Sequence, residues 1–168
     1  MAPNRILRDR VAGQSAMFRV VFAQHHAGQQ SSLGRFLGIS PLTAEARGSY
    51  RGALGELLVG DVLENLGQRW DVLHDVPLER SSLDHLVIGP AGVFAVRTAN
   101  CDGMDVVVDE DELVVVGETR CDILLARMEA DEVAHILSAA AGRSITVQPL
   151  VVVVGPRRLT VRSEVDDV

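Results

Sequence analysis

Leu83-Asp84-His85-Leu86-Val87-Ile88-Gly89-Pro90-Ala91-Gly92-Val93-Phe94-Ala95-Val96, followed by Arg97-Thr98-Ala99, is the stretch whose reading decides the fold. Two apolar runs rich in Val and Leu flank Gly-Pro-Ala-Gly, so both read as strands joined by a tight turn. With the turn centred between Pro90 and Ala91, opposing residue numbers sum to 181. That register sets Asp84 across from Arg97 on one face, with Cβ atoms about 5 Å apart, and predicts that the guanidinium pairs with the carboxylate. A slip of one residue would send every side chain to the other face.

The same alternation continues on either side. WDVLHDVPL (70–78) is an entering strand, and MDVVVD (104–109) with ELVVVG (112–117) form a hairpin. Its tip, Asp109-Glu110-Asp111-Glu112, lacks the ligand spacing of an EF-hand loop and reads as a charged cap on a sheet edge. ITVQPLVVVVG (145–155) carries four consecutive valines, which predicts a strand covered on both faces. Helical spacing appears in three places. Residues 4–26 contain Ile6, Leu7, Val11, Met17, Phe18, Val21 and Phe22, with Gly13 a weak point. Residues 49–66 place Leu54, Leu58, Val62 and Leu66 at i, i+4 spacing, widened by Leu57 and Leu63 and closed by Gly67. Residues 121–140 carry Ile123, Leu124, Ala134, Ile136 and Leu137. GQQSSLGRFLGISP (28–41) reads as a linker. Helix, antiparallel strands, helix and a last apolar strand predict an α/β fold, a mixed sheet flanked by helices.

The chain has 168 residues, 47% apolar and 23% charged, which fits one globular domain and excludes disorder, collagen and coiled coil. All 16 basic residues are Arg. Residues 1–47 carry six Arg against Asp9 and Glu45, a net +4, and the remainder carries −11, giving −7 in all. A domain at −11 repels phosphate backbones at long range, which counts against avid non-specific DNA binding by it, while the basic arm keeps that option. The expected organisation is a helical arm and linker (1–47), a core domain (48–155) and a tail (156–168). Cys101 and Cys121 lie outside any zinc spacing and read as two buried thiols of a reducing compartment. No signal sequence and no 18-residue apolar run appear, so the expectation is a cytoplasmic protein without a membrane span.

Gly52-Ala53-Leu54-Gly55-Glu56 on the second helix, WDVLHDVPL and the phrase LDHLVIGPAGVFAV together resemble the nuclease-related domain (NERD) family. That family is related to the PD-(D/E)xK restriction-endonuclease-like fold. The resemblance covers about residues 48–155 and implies a restriction-endonuclease-like core. It also implies a metal-dependent phosphodiesterase site, with a helical Glu and a strand Asp holding Mg²⁺ and an E-x-K on the next strand. Hard oxygen ligands suit that ion, which stabilises charge on phosphate and lowers the pKa of the attacking water. Carried over by position, the helical acid is Glu56 and the strand acid is Asp84. The E-x-K falls on Arg97-Thr98-Ala99, so a ligand has become a cation and the lysine a methyl group. No lysine exists elsewhere in the chain to replace it.

Three expectations follow. The first is a catalytically inactive domain acting as a binding or scaffolding module, with Glu56, Asp84, Arg97 and Ala99 as a vestigial site, no cofactor, and a protein partner. The second is a DNA nuclease with a rearranged site, in which Glu56 and Asp84 hold Mg²⁺ or Mn²⁺ and an Arg replaces the lysine. Arg stays protonated and cannot serve as a base, though it can stabilise a transition state. The third is nucleic-acid binding through the basic arm. His85 reads as a core or surface histidine on the face opposite Asp84, His25-His26 as a helix end, and Pro156-Arg157-Arg158 as a solvated basic cluster. Gly52 and Gly55 read as permitting close helix–sheet contact.

Overall fold

The computed structural model describes residues 7–26 and 44–163. The linker read at 28–41, Ile6 and the C-terminal residues beyond Ser163 lie outside them. A 3-10 turn (Leu7–Asp9) precedes α1 (Gln14–His26) and α2 (Ala44–Glu64). The strands β1 (Asp71–Pro77), β2 (Ser82–Gly89), β3 (Gly92–Asn100), β4 (Asp105–Asp109), β5 (Glu112–Val115) and β6 (Glu118–Arg120) follow. Then come α3 (Asp122–Ala141), β7 (Val147–Val154) and β8 (Arg158–Val161).

Two four-stranded sheets form, in the orders β1-β2-β3-β7 and β6-β5-β4-β8. In each, an antiparallel run of three strands ends on a parallel fourth, β7 beside β3 and β8 beside β4. The parallel pair β3/β7 bends and continues as β4/β8. The bend is held by Cys101 N–H to the Val154 carbonyl and Gly103 N–H to the Gly155 carbonyl, both 2.9 Å. Gly155 adopts φ +64°, and a Cβ there would lie 3.0 Å from Asp102 Oδ1. The mixed-sheet fold class read from the sequence is therefore the observed one. The β2/β3 register is also as predicted, with His85↔Val96 through Gly89↔Gly92 all summing to 181.

Helix α3 covers one face of the first sheet, packing Ala130 and Val133 on Leu83, Leu86, Ala95 and Val147. Its N-terminal end seals the second sheet through Ile123 against Ala99, Cys101, Val106, Leu113 and Val115. On the other face α2 sets Val59 on Val87 and Val96. Gly142 in the left-handed conformation ends α3.

Several expectations are corrected. The helix expected over 4–26 is split, because Gly13 takes φ +71° and fits against the Ala53 carbonyl, so α1 begins only at Gln14. Among the described strands β7 lies at the sheet edge; its valines pack on both faces as expected, Val151 and Val153 on one and Val152 and Val154 on the other, yet each is only half-buried. Leu54, Leu58 and Val62 of α2 and Leu66 just past its end are exposed, as are Met17, Phe18, Val21 and Phe22 of α1. Apolar spacing marks a face but does not say whether this chain supplies its cover. Cys101 is buried as expected, whereas Cys121 is exposed at the start of α3. Arg157-Arg158 is exposed, as read, but does not follow the last strand. Arg157 grips Asp105 at 2.7 and 2.9 Å, and Arg158 opens a strand that pairs with β4.

Candidate functional site

The site is built on a fault in β1 and β2. Their ladder runs from Asp71↔Ile88 to His74↔His85, skips Asp75 and Asp84, and resumes at Val76↔Leu83. Asp75 sits at φ +49°, a left-handed conformation that Asp tolerates better than most residues. Leu73 and Val76 both join the core under α3, and so do Leu83 and Leu86. Each pair is three residues apart, so strict alternation is broken in both strands. His74, Asp75, Asp84 and His85 leave that apolar face as a result. The Asp84 carboxylate turns into the seam beyond the last β2–β3 pair, where its Oδ2 accepts the Thr98 N–H at 2.6 Å.

Glu56 is buried on the facing side of α2. Gly55 brings the helix close, since a Cβ there would fall 2.9 Å from Asn100 Cβ and 3.1 Å from Thr98 Cγ2. Gly52 plays no such part, with nothing within 4 Å of its would-be Cβ. Asn100 Nδ2 donates to the Arg51 carbonyl at 2.7 Å and fastens the same contact. Burial, and then the Asp84 charge, push Glu56 up to about 8, against the pull of Arg19 and Arg97. Asp84 is raised too, chiefly by burial, while the Thr98 N–H, Arg97 and Arg19 oppose the shift. The two acids carried over from the sequence are thus brought within electrostatic reach, the Asp84 charge making Glu56 harder to ionise.

Arg97 does not pair with Asp84. It reaches α3, with Nη1 2.8 Å from Glu129 Oε1 and Nε 3.2 Å from Asp122 Oδ1. Register alone put Asp84 nearest, but a long Arg side chain is placed by the best partner within reach, and the helix offers two carboxylates. Burial works against the charged form of Arg97, yet Glu129, Asp84 and Asp122 together hold its pKa above the ordinary value. Burial pushes Glu129 up to about 7, with Arg97 opposing. Arg120 adds a second cation 2.8 Å from Asp122 Oδ2. Ala99 is fully buried in the second-sheet core, where a lysine would have to displace packed side chains.

Sequence reasoning missed Asp122, Glu129, Asp75 and Arg19. A signal existed for the first two. They lie seven residues apart, two turns, on the otherwise apolar buried face formed by Ile123, Ala126, Ala130 and Val133. An acid on a core stripe needs a partner.

Behind the carboxylates lies a second buried polar group. His74 and His85 meet edge to face with their Nδ1 atoms 2.8 Å apart. Burial and the neighbouring His74 push His85 down to about 4, so it stays neutral, in keeping with a core histidine. Asp75 accepts from Ser15 at 2.9 Å and pairs with Arg10, while Arg8 reaches Asp71 at 2.8 Å. Residues 8–15 are thereby tied to β1.

Among the described residues, no group of three or more His, Cys, Asp or Glu is placed to hold a metal ion. No helix among them is long and apolar enough to cross a membrane. No curated protein and no solved structure matches the chain. The model of the nuclease-related domain, NERD, matches residues 51–154, which takes in Glu56, Asp84, Arg97, Ala99 and Glu129. That span is well over half of the sequence, and the chain belongs to the nuclease-related domain family.

Proposed function

We propose that this domain is a catalytically silent NERD domain that works as a binding or scaffolding module. The observation that carries the reading is the engagement of Arg97 by Glu129 and Asp122. The strand position from which the wider nuclease fold would offer a metal-binding carboxylate holds a cation instead, fixed by two acids. A divalent ion does not fit this donor set. Glu56 and Asp84 are two acids of raised pKa, one Asp84 oxygen is committed to a backbone N–H, and the charges of Arg19 and Arg97 act on both. Mg²⁺ demands near-octahedral oxygen ligands and gains nothing from a guanidinium beside it.

The nuclease reading keeps one observation in its favour, the juxtaposition of Glu56 and Asp84. Plasmid, linear and single-stranded DNA incubated with Mg²⁺ or Mn²⁺ separates the two. The expected result is no cleavage above background by the unaltered chain. Metal-dependent cleavage that disappears in Asp84→Asn would overturn the proposal. Arg97→Glu with Ala99→Lys tests whether the scaffold can be switched on, provided circular dichroism shows that it folds.

A further inference from the structure

On α2, Ala53, Glu56 and Gly60 share one face, falling within about 60° of one another around the helix. The segment that precedes α1 meets this face on both sides of Glu56. At one end Gly13, at φ +71°, lies against Ala53, where a Cβ on the glycine would fall 3.1 Å from the Ala53 carbonyl oxygen. At the other end Ala12 lies against Gly60, close enough that a Cβ there would fall 2.7 Å from the alanine Cβ. The two contacts bracket Glu56, which is buried.

The same segment is fastened to β1 where the ladder breaks. Arg10 pairs with Asp75, Ser15 Oγ donates to that carboxylate at 2.9 Å, and Arg8 reaches Asp71 at 2.8 Å. Asp75 belongs with the acid pair, since its charge acts on both Glu56 and Asp84, and Arg19 on α1 acts on the same two with opposite sign. The attachment is polar and steric. Leu7 and Val11, the large apolar residues before α1 among those described, are 40% and 61% exposed, and full apolar burial begins only at Ala16. A segment with so little buried apolar surface opens at lower cost than the core beneath it.

We propose that residues 8–15 are a strap that closes the Glu56–Asp84 site and lifts from β1 and α2 while α1 stays packed. Arg10 and Ser15 are its anchors on β1, and the close fits at Ala53 and Gly60 are its seats on α2. Closed, it keeps water and ligands from Glu56 and Asp75. Lifted, it uncovers them together. The inference takes the place of the site from the reading above but not its silence. Labelling of the acids reads access to them, whereas DNA cleavage reads their chemistry, so each reading can fail without the other.

A short pulse of carbodiimide and glycine ethyl ester on the full chain, with the modified carboxyls located by mass spectrometry, tests it. In the unaltered chain Glu56 and Asp75 are expected to react at least about tenfold slower than Glu64, whose side chain is exposed. Arg10→Ala/Ser15→Ala, and separately Gly60→Ala, should raise both rates about tenfold and speed amide hydrogen exchange over residues 10–15. Glu129, buried under α3, should keep its rate in both variants. Glu56 is the deciding residue, because Arg10 and Ser15 bond Asp75 directly. The proposal is overturned if Glu56 reacts as fast as Glu64 in the unaltered chain. It is overturned equally if Glu56 stays unreactive once residues 10–15 exchange fast, since another element then covers it. Exchange over residues 10–15 that neither variant alters, or a rise that Glu129 shares in both, also defeats it: the anchors would not hold the segment, or the fold would loosen as a whole.

Discussion

Arg97 is the residue on which the character of the site turns. Its guanidinium is about one-fifth exposed, while Asp122 and Glu129 are nearly fully buried. Removing it would leave two buried acids to be neutralised or hydrated, and stripping one partner from a buried pair costs about 3–5 kcal/mol. Arg97→Ala is expected to lower unfolding stability by about that amount in urea titration, and Arg97→Ala/Glu129→Gln to recover part of it. Glu56 gives a second, opposite test through pH. Its folded value of about 8 stands above the ordinary 4.5, so the native state keeps a proton that the unfolded state has released. The stability it contributes is full below about 4.5 and is lost as pH rises through about 8. His85 works from the other side. Folded at about 4 against an ordinary 6.5, it contributes stability that is lost as pH falls below 6.5 toward 4. The melting temperature should therefore fall between pH 6.5 and 8, and Glu56→Gln should remove much of that fall. Glu129, at about 7, accounts for a remainder. A decline unchanged in Glu56→Gln would refute the assignment.

At the scale of elements, α2 is held by glycines that differ in what surrounds them. A Cβ on Gly60 would lie 2.7 Å from Ala12 Cβ, a stub of a side chain that cannot swing away. Gly60→Ala is expected to push the Ala12–Gly13 segment off the helix and to make the arm sensitive to protease. Gly52 has open space around it, so Gly52→Ala should raise stability by about 0.5–1 kcal/mol through helix propensity alone. The two substitutions are chemically identical and opposite in sign, and denaturant melts of both variants check them together. The helix itself was legible in the sequence from its apolar spacing and terminal Gly67. Which glycine touches a neighbour was not, because Ala12 and Gly60 are 48 positions apart and nothing local records their contact.

At the scale of the whole molecule, residues 8–15 are packed on the domain. Arg10 and Ser15 supply partners of Asp75, which is 1% exposed, and Ala16 is fully buried. Deleting residues 1–26 is expected to leave that carboxylate buried without them and to abolish cooperative thermal unfolding. An arm that is merely tethered would come away without changing the melt. The acidic β4–β5 tip has the opposite role. Asp109 reaches Arg162 and Ser163, and Asp111 reaches Arg127, so the charges predicted for solvent at a hairpin turn also clamp the chain end and α3.

Apart from β6, β8 and the break at Gly13, the sequence alone determined the elements, the β2/β3 register and the family. Each is encoded in residues close along the chain: a two-residue or 3.6-residue apolar period, a Gly-Pro-Ala-Gly turn, and the ordered phrase from Leu83 to Val96. The resemblance also implies, from residue identity and not from shape, that Arg97 and Ala99 stand where the wider fold carries its glutamate and lysine. Tertiary structure decided what those residues touch. Arg97 turns to Asp122 and Glu129, 25 and 32 positions away, because α3 crosses β3 there. Asp84 binds a backbone N–H, because the ladder breaks at Asp75. The apolar stripe of α2 and the valines of β7 were equally plain in the sequence, yet only the fold shows that the described residues leave the stripe exposed and that β7 lies at their sheet's edge. Local pattern records which face is apolar. Which surface meets it depends on contacts between segments distant in sequence, whose relative placement no short stretch specifies.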